Sequence, residues 1–93
     1  MSIRGFKHGG LKRFFDENDG RRLPQDRLNR IDDILAKLST ADALDALSVP
    51  GYRLHPLKGN RKGYWSVRVS ANWRIVFRFE DGNAYDVDII DYH

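Results

Sequence analysis

The chain has 93 residues, of which 41% are hydrophobic and 31% are charged, with a formal net charge of +3 and no cysteine. This length suits one domain with a modest core, which we expect to span residues 1–93. A membrane span of roughly 18 apolar residues, a signal peptide, a disulfide framework and a thiolate metal site are all excluded, so we expect a cytoplasmic protein.

The first third of the chain predicts a short strand followed by a short helix. Residues 2–6 suit a strand, which Gly9-Gly10 interrupts. Apolar residues at helical spacing then predict a first helix that contains Leu11, Phe14 and Phe15. The turn-forming residues 18–20, with the sequence Asn-Asp-Gly, end this helix.

A second and longer helix is predicted to begin at Pro24, because proline suits the first turn of a helix. Its apolar residues recur with the helical period at Leu28, Ile31, Ile34, Leu35 and Leu38. We expect residues 39–50 to form a connector with one helical turn after Ser39 or Thr40. The connector closes at Pro50-Gly51.

The second half of the chain predicts antiparallel strands, because its apolar residues alternate with a period of two. Residues 64–70 and 73–79 each place alternate apolar side chains on one face. A three-residue loop at 70–72 keeps both apolar faces on the same side of the sheet and sets Val67 opposite Ile75. The expected fold is therefore α+β, a single antiparallel sheet with two N-terminal helices on one face and a concave polar face opposite.

The same register sets Arg68 opposite Arg74 on the polar face. Like charges directly opposed are destabilising unless something neutralises them, so this pair predicts an anion site. A second three-residue loop at 80–82 is expected to join the last two strands, and Arg74 is then shared between a carboxylate and a bound phosphate. That register predicts four opposed pairs: Phe77 with Tyr85, Ile75 with Val87, Val76 with Asp86, and Arg74 with Asp88.

Charge is distributed unevenly along the chain. Between Ala46 and Phe79 there is no carboxylate, whereas Glu80 to Asp91 holds five carboxylates and no base. Uncompensated cations favour a polyanion such as nucleic acid, although the acidic last strand can also neutralise its basic neighbour within the sheet. The cations of the basic stretch are Arg53, Lys58, Arg61, Lys62, Arg68, Arg74 and Arg78.

The three histidines are the candidates for proton transfer near neutral pH. His8 lies in a loop and is expected to be solvated. His55 precedes Pro56, which restricts the backbone of His55 to an extended conformation. We give about equal weight to a structural role and a catalytic role for His55. Lys58 can stabilise a phosphorane transition state, whereas the alternative for Lys58 and its neighbours is a solvated turn.

The chain ends on Asp91-Tyr92-His93, a carboxylate, a phenol and an imidazole in sequence. Alternative roles are a surface ion pair for Asp91 and a cover for the core for Tyr92. Asp86 and Asp88 share a strand, but no further ligands converge on them, so we expect chemistry without metal or cofactor.

Together these motifs resemble HigB-type toxins of the RelE/ParE superfamily, from bacterial type II toxin–antitoxin systems. The resemblance runs nearly end to end. It is carried by Ile3-Arg4-Gly5-Phe6-Lys7-His8, Arg53-Leu54-His55-Pro56-Leu57-Lys58-Gly59, Gly63-Tyr64-Trp65-Ser66-Val67-Arg68-Val69, Asn72-Trp73-Arg74-Ile75 and Asp91-Tyr92-His93.

The resemblance implies a RelE-like fold and a toxin that cleaves messenger RNA on the translating ribosome. In that family the RNA's 2′-hydroxyl attacks the adjacent phosphate without a metal. A HigA-type helix-turn-helix antitoxin neutralises the toxin and binds the operator DNA. Two rival functions remain, a non-catalytic poison that binds gyrase and a passive RNA-binding module.

Carried over by position, the catalytic residues of the family fall on His55, Lys58, Arg74, Asp91, Tyr92 and His93. Arg68, Arg61 and Lys62 are assigned to RNA or phosphate binding. Asp91 or His93 is expected to accept the 2′-hydroxyl proton, and His55 or His93 to protonate the leaving oxygen. Lys58 and Arg74 stabilise the phosphorane, and Tyr92 orients the nucleotide.

Overall fold

The computed structural model describes residues 2–40 and 43–91. The four strands form one antiparallel sheet in the order β1-β2-β3-β4, which together with the two helices confirms the predicted α+β fold. The elements are α1 (Gly9–Glu17), α2 (Leu28–Thr40), β1 (His55–Pro56), β2 (Tyr64–Arg68), β3 (Trp73–Glu80) and β4 (Asn83–Asp91), with short 3-10 turns at Gln25–Arg27, Leu44–Leu47 and Gly59–Arg61.

The N-terminal segment runs beside β4 as two isolated parallel bridges, at Ile3 and Phe6, and then enters α1. His8 caps this helix, because the Leu11 amide donates to His8 Nδ1 at 3.1 Å. The expectation that His8 is solvated is therefore wrong, since its ring is half-buried and satisfies a helix-end amide. At the other end Asn18 adopts the left-handed conformation (φ 58°) that commonly closes a helix.

The second helix follows the predicted period. Pro24 leads into the 3-10 turn Gln25–Arg27, which continues directly into α2. The connector contains its helical turn at Leu44–Leu47, a few residues later than expected. The buried residues of α2 are Ile31, Ile34, Leu35 and Leu38.

The core lies between the helices and one face of the sheet. Burying these apolar side chains supplies the main driving force for folding, at about 25 cal/mol per Å² of apolar surface. No helix in the described part of the chain is long and apolar enough to cross a membrane. Core residues that are at most 1% exposed include Leu11, Ile31, Ile34, Leu35, Leu38, Val67, Ile75, Phe77 and Val87.

The hairpin between β2 and β3 has the predicted register. Val67 pairs with Ile75 and Arg68 with Arg74. Val67 and Ile75 are fully buried under the helices. By the alternation of the strands, both arginines stand on the opposite face.

The hairpin between β3 and β4 does not have the predicted register. A two-residue turn, Asp81-Gly82, joins the strands, with φ of 51° and 78°. Positive φ at both positions matches the right-handed strand twist, and Asp-Gly is a sequence that favours it over the expected three-residue loop. All four predicted pairs are therefore wrong; the structure pairs Arg78 with Tyr85, Val76 with Asp88, Ile75 with Ile89 and Arg74 with Ile90.

A β-bulge at Asp86 corrects the consequence of the shorter turn. The turn shifts the register by one residue, and the bulge sets Asp86 and Val87 against Phe77 alone. Asp86 takes the left-handed conformation, with φ of 53°. The two shifts together restore the alternation, so Val87 is fully buried in the core as the sequence predicts.

Candidate functional site

The sheet face turned away from the helices, which we call the polar face, carries His55, Arg68 and Arg74 of the candidate residues. Because directly paired residues share a face, the pairing defines it as three rows across the strands. The rows are His55, Ser66, Val76 and Asp88; Arg68, Arg74 and Ile90; and Tyr64, Arg78 and Tyr85.

His55 presents an exposed imidazole at the β1 edge of this face. Its Nδ1 lies 3.0 Å from the backbone oxygen of Arg53. A carbonyl oxygen only accepts hydrogen bonds, so Nδ1 carries a proton. The neutral ring then keeps its lone pair on Nε2, and the cationic ring has its transferable proton there. His55 is thus arranged to exchange a proton through Nε2.

The arginine pair lies one row further along the strands. Arg74 Nη1 donates to the backbone oxygens of Ser70 at 2.7 Å and Trp73 at 3.3 Å, which fixes its guanidinium near the β2–β3 loop. Ile90 stands opposite Arg74 in the place where the sequence predicts Asp88. The predicted pairing of Arg74 with Asp88 is therefore wrong, while the opposition of the two arginines is confirmed.

The turn between β1 and β2 carries Lys58, Arg61 and Lys62, all exposed. Arg61 lines an open depression of about 370 Å³ on the polar face, with Lys7 among the other lining residues. The predicted concave polar face is present. The remaining lining residues of the depression are Asn60, Tyr64, Val76, Asp86 and Asp88.

Of the terminal motif Asp91-Tyr92-His93, the structure describes Asp91, the last residue of β4. Asp91 is exposed and pairs with Trp73, so its position in the strand belongs to the face of the helices. Tyr92 and His93 lie outside the described residues. The structure therefore brings His55, Arg68 and Arg74 onto one face and does not bring Asp91 onto it by strand register.

A polar cluster that the sequence analysis did not assign to the site occupies the other end of the polar face. Tyr64 donates its hydroxyl to Asp86 Oδ2 at 3.0 Å, and Arg78 Nε lies 3.6 Å from the same oxygen. Burial, followed by the bond to Asp86, raises the pKa of Tyr64. Arg78 also contacts Glu80 and stacks over the Tyr85 ring at 4.5 Å. The Asp81-Gly82 turn, which sets the bulge at Asp86, is the sequence signal that was available.

A second residue that sequence reasoning missed is Ser66. It is 2% exposed, and its Oγ has no hydrogen-bond partner within the described part of the chain. Its pairing places it between His55 on β1 and Val76 on β3. Nothing in the local sequence distinguishes it from an ordinary strand serine, because its burial depends on neighbouring strands.

The basic stretch is only partly neutralised by the last strand. Arg78 forms ion pairs with Glu80 and Asp86. Across residues 2–40 and 43–91, the remaining cations that enter no ion pair include Arg53, Lys58, Arg61, Lys62 and Arg68. Both explanations of the charge pattern therefore apply, because carboxylates of the acidic segment neutralise Arg78 while these other described cations form no ion pair. The same described residues contain no cluster of three or more histidines and carboxylates suited to a metal ion.

Comparison with known proteins places these features in a family. A family model for HigB-like toxins, described as the RelE-like toxin of the type II toxin–antitoxin system HigB, matches residues 4–93. The chain is 46% identical over 91 residues to endoribonuclease HigB from Proteus vulgaris, covering 98% of this chain and 99% of the relative. It is 36% identical over 83 residues to toxin HigB-1 from Vibrio cholerae, covering 85% of each.

Solved structures agree on the fold. The YoeB–YefM complex from Staphylococcus aureus contains a chain that matches with a TM-score of 0.61 at 19% identity, over 100% of this chain and 99% of that one. YafQ from E. coli matches with a TM-score of 0.56 at 16% identity, over 97% of this chain and 93% of that one.

Proposed function

The chain belongs to the HigB-like family of RelE-like toxins of type II toxin–antitoxin systems, and we propose that it cuts messenger RNA on the translating ribosome. It is an endoribonuclease toxin. The observation that carries the proposed chemistry is the His55 imidazole, with Nε2 directed to proton exchange, on the same sheet face as the Arg68–Arg74 pair.

The spacing of this face suits one scissile phosphate. His55 pairs with Ser66, and Arg68 follows two residues later along β2. Strand geometry then separates the Cα atoms of His55 and Arg68 by about 8 Å, within reach of two long side chains that share a substrate. The two guanidinium groups hold the phosphate, and a bound anion offsets their mutual repulsion.

In the proposed reaction the RNA's 2′-oxygen bonds to the adjacent phosphorus and the bond to the 5′-oxygen breaks. Asp91 or His93 accepts the 2′-hydroxyl proton, and His55 or His93 protonates the departing 5′-oxygen. Lys58 and Arg74 stabilise the charge of the phosphorane, and Tyr92 orients the nucleotide. Because the nucleophile is the RNA's own 2′-hydroxyl, the proposed reaction uses no metal or cofactor. The products carry a 2′,3′-cyclic or 3′-phosphate and a 5′-hydroxyl.

The partners follow from the family. Toxins of type II systems are paired with antitoxins, and fold relatives have been solved as the YoeB–YefM and DinJ–YafQ complexes. We propose a HigA-type helix-turn-helix antitoxin, which carries the toxin to operator DNA. Arg61 and Lys62, exposed on the turn before β2, contact the RNA backbone of the message or of the ribosome in the cytoplasm.

Primer extension on a message translated in a purified bacterial system tests this proposal. Wild type is compared with His55→Ala and His93→Ala, and each is repeated on the same message without ribosomes. We expect in-frame cuts that require ribosomes and fall by about 10²- to 10⁴-fold in a variant that loses a proton-transfer group. Cuts on naked RNA at the same rate contradict ribosome dependence, and undiminished cuts in either variant remove that histidine from the mechanism.

The chemistry of the ends is a separate test. Enzymatic phosphorylation of the downstream fragment succeeds directly on a 5′-hydroxyl and fails on a 5′-phosphate. A 5′-phosphate would contradict attack by the 2′-hydroxyl. A message with a 2′-deoxy nucleotide at the cut site supplies the control, because it lacks the nucleophile and should remain intact.

A further inference from the structure

We propose that Arg53 is a positioning residue whose left-handed backbone aims its carbonyl at His55 Nδ1 and so keeps Nε2 available for proton transfer. The inference rests on the proposed catalytic role of His55 and extends it to a residue two positions earlier. Two observations carry it, the φ of 49° at Arg53 and the distance of 3.0 Å between Arg53 O and His55 Nδ1.

The backbone at Arg53 is in a conformation that residues other than glycine rarely adopt. Its φ of 49° lies in the left-handed region, where the Cβ atom crowds the backbone. Such conformations persist where the surrounding structure fixes the chain on both sides, and they concentrate at functional sites. Arg53 therefore needs anchors before and after it.

The anchor before Arg53 is the turn at Gly51 and Tyr52. Tyr52 is 4% exposed, and its backbone oxygen accepts the Arg68 amide at 2.6 Å. Arg30, from α2, donates Nη2 to the Gly51 oxygen at 2.7 Å and to the Arg68 oxygen at 3.0 Å. Its guanidinium also lies 4.4 Å from the centre of the Tyr52 ring. The turn is thus held to both the helix layer and β2.

The anchor after Arg53 is β1 itself. His55 pairs with Ser66 and Pro56 with Trp65, which ties both residues to β2. Proline also restricts the residue before it to an extended backbone. The chain must change direction between these anchors, and the left-handed residue Arg53 makes that change. Its carbonyl oxygen consequently faces the imidazole.

A fixed carbonyl partner gives His55 one tautomer and one ring orientation. In the neutral ring the carbonyl oxygen requires the proton to be on Nδ1. In the cationic ring the carbonyl oxygen accepts the same Nδ1–H, and Nε2–H points to the substrate. If the carbonyl moved, the ring would exchange between tautomers and rotate. A ring protonated on the wrong nitrogen transfers protons poorly, as catalytic histidines in other enzymes show.

Two variants of equal charge separate the backbone of Arg53 from its side chain. Arg53→Asn and Arg53→Thr both remove the guanidinium, but asparagine tolerates the left-handed conformation, whereas the β-branched threonine does not. Nitrogen NMR of the full chain reports the protonation of each His55 ring nitrogen. Single-turnover cleavage on programmed ribosomes gives the rate at saturation and the half-saturating concentration.

We expect Arg53→Asn to retain the Nδ1–H tautomer and Arg53→Thr to lose it. The saturating rate of Arg53→Thr should fall about 10-fold or more below that of Arg53→Asn, at equal half-saturation. Equal tautomers, or equal rates despite different tautomers, would overturn the proposal.

Thermal unfolding checks that both variants are folded, and Arg53→Gly against Arg53→Ala replaces the pair if Arg53→Thr unfolds. Glycine adopts positive φ freely and alanine does not, so the same two outcomes apply. If wild type fails to cleave any message, the proposed function fails. The NMR comparison still decides whether the Arg53 backbone positions the ring, so the two failures are distinguishable.

Discussion

Arg68 and Arg74 stand directly opposite each other on β2 and β3, on the sheet face away from the helices. Like charges directly opposed across two strands destabilise a sheet. Arg68 has no ion pair among the described residues. A phosphate bound between the two guanidinium groups would offset their mutual repulsion.

Replacing Arg68 should therefore change stability and RNA affinity in opposite directions. We expect Arg68→Gln to raise the free energy of unfolding by a few tenths of a kcal/mol, measured by urea denaturation. Loss of one phosphate contact should lower the slope of log affinity against log salt by about 0.7, the value for single-stranded nucleic acid. Arg27→Gln, an exposed change in the helical layer, is the control of equal charge and should leave the slope unaltered. A slope unaffected by Arg68→Gln would contradict a phosphate contact there.

The two hairpins show what the sequence could predict and where local reasoning failed. The pairing of Val67 with Ile75 follows from alternation and parity, and the structure confirms it. The β3–β4 register depends on a competition between a three-residue loop and the two-residue Asp81-Gly82 turn. The three-residue loop keeps the apolar residues of both strands on one face, but the twist of the strands favours the two-residue turn. The bulge at Asp86 then returns the apolar residues of β4 to the core.

The candidate site divides in the same way. His55 and the opposed arginines were identifiable because their residue types and spacing suggest chemistry. The carbonyl of Arg53 and the buried Ser66 were not, because their roles depend on a left-handed backbone and on burial between strands. The roles of Tyr92 and His93 stay predictions, since both residues lie outside the described part of the chain.

His8 and His55 should separate stability from activity. His8 accepts the Leu11 amide at the start of α1, so His8→Ala should lower the free energy of unfolding by about 0.5–2 kcal/mol. His55→Ala removes an exposed ring and should change stability little while abolishing most cleavage. Urea denaturation and ribosome-dependent cleavage are measured on both variants. A stable but inactive His8→Ala would contradict the capping role.

The bulge at Asp86 should tolerate asparagine and reject a β-branched residue. Asp86→Asn keeps a residue that accepts φ of 53° and loses an exposed ion pair with Arg78, so stability should fall by less than about 1 kcal/mol. Asp86→Ile should cost about 1–2 kcal/mol more, because its Cβ branch strains the left-handed backbone. Urea denaturation gives both values, and equal stability of the two variants would show that the bulge forms without positive φ.

Tyr64 should titrate above its ordinary pKa of 10.0, because burial and the bond to Asp86 favour the neutral phenol. A raised pKa stabilises the folded protein below the ordinary pKa, and the stabilisation is lost as pH rises through the folded value. Wild type should therefore lose stability above pH 10 more steeply than Tyr64→Phe. Absorbance titration, with the Tyr64→Phe spectrum subtracted, measures the pKa itself; a value at or below 10 would contradict the expected effect of burial.

Ser66 offers the sharpest separation of folding from function on the polar face. Its buried Oγ has no partner among the described residues, and an unsatisfied buried hydroxyl costs about 1–3 kcal/mol. Ser66→Ala should therefore raise the free energy of unfolding by about 1 kcal/mol. Ser70→Ala is the matched control and should lower it, because Ser70 Oγ accepts the amides of Asn72 and Trp73.

The cleavage rate of Ser66→Ala then shows why the hydroxyl is present. Ser66 pairs with His55 across the β1–β2 ladder, one row away from the arginine pair. Greater stability with slower cleavage would mean that the hydroxyl contributes to the site despite its cost to folding. Greater stability with unchanged cleavage would mean that the hydroxyl has no role in the site. A lower free energy of unfolding for Ser66→Ala would contradict the prediction, because such a loss would mean that Oγ has a hydrogen-bond partner in the free protein.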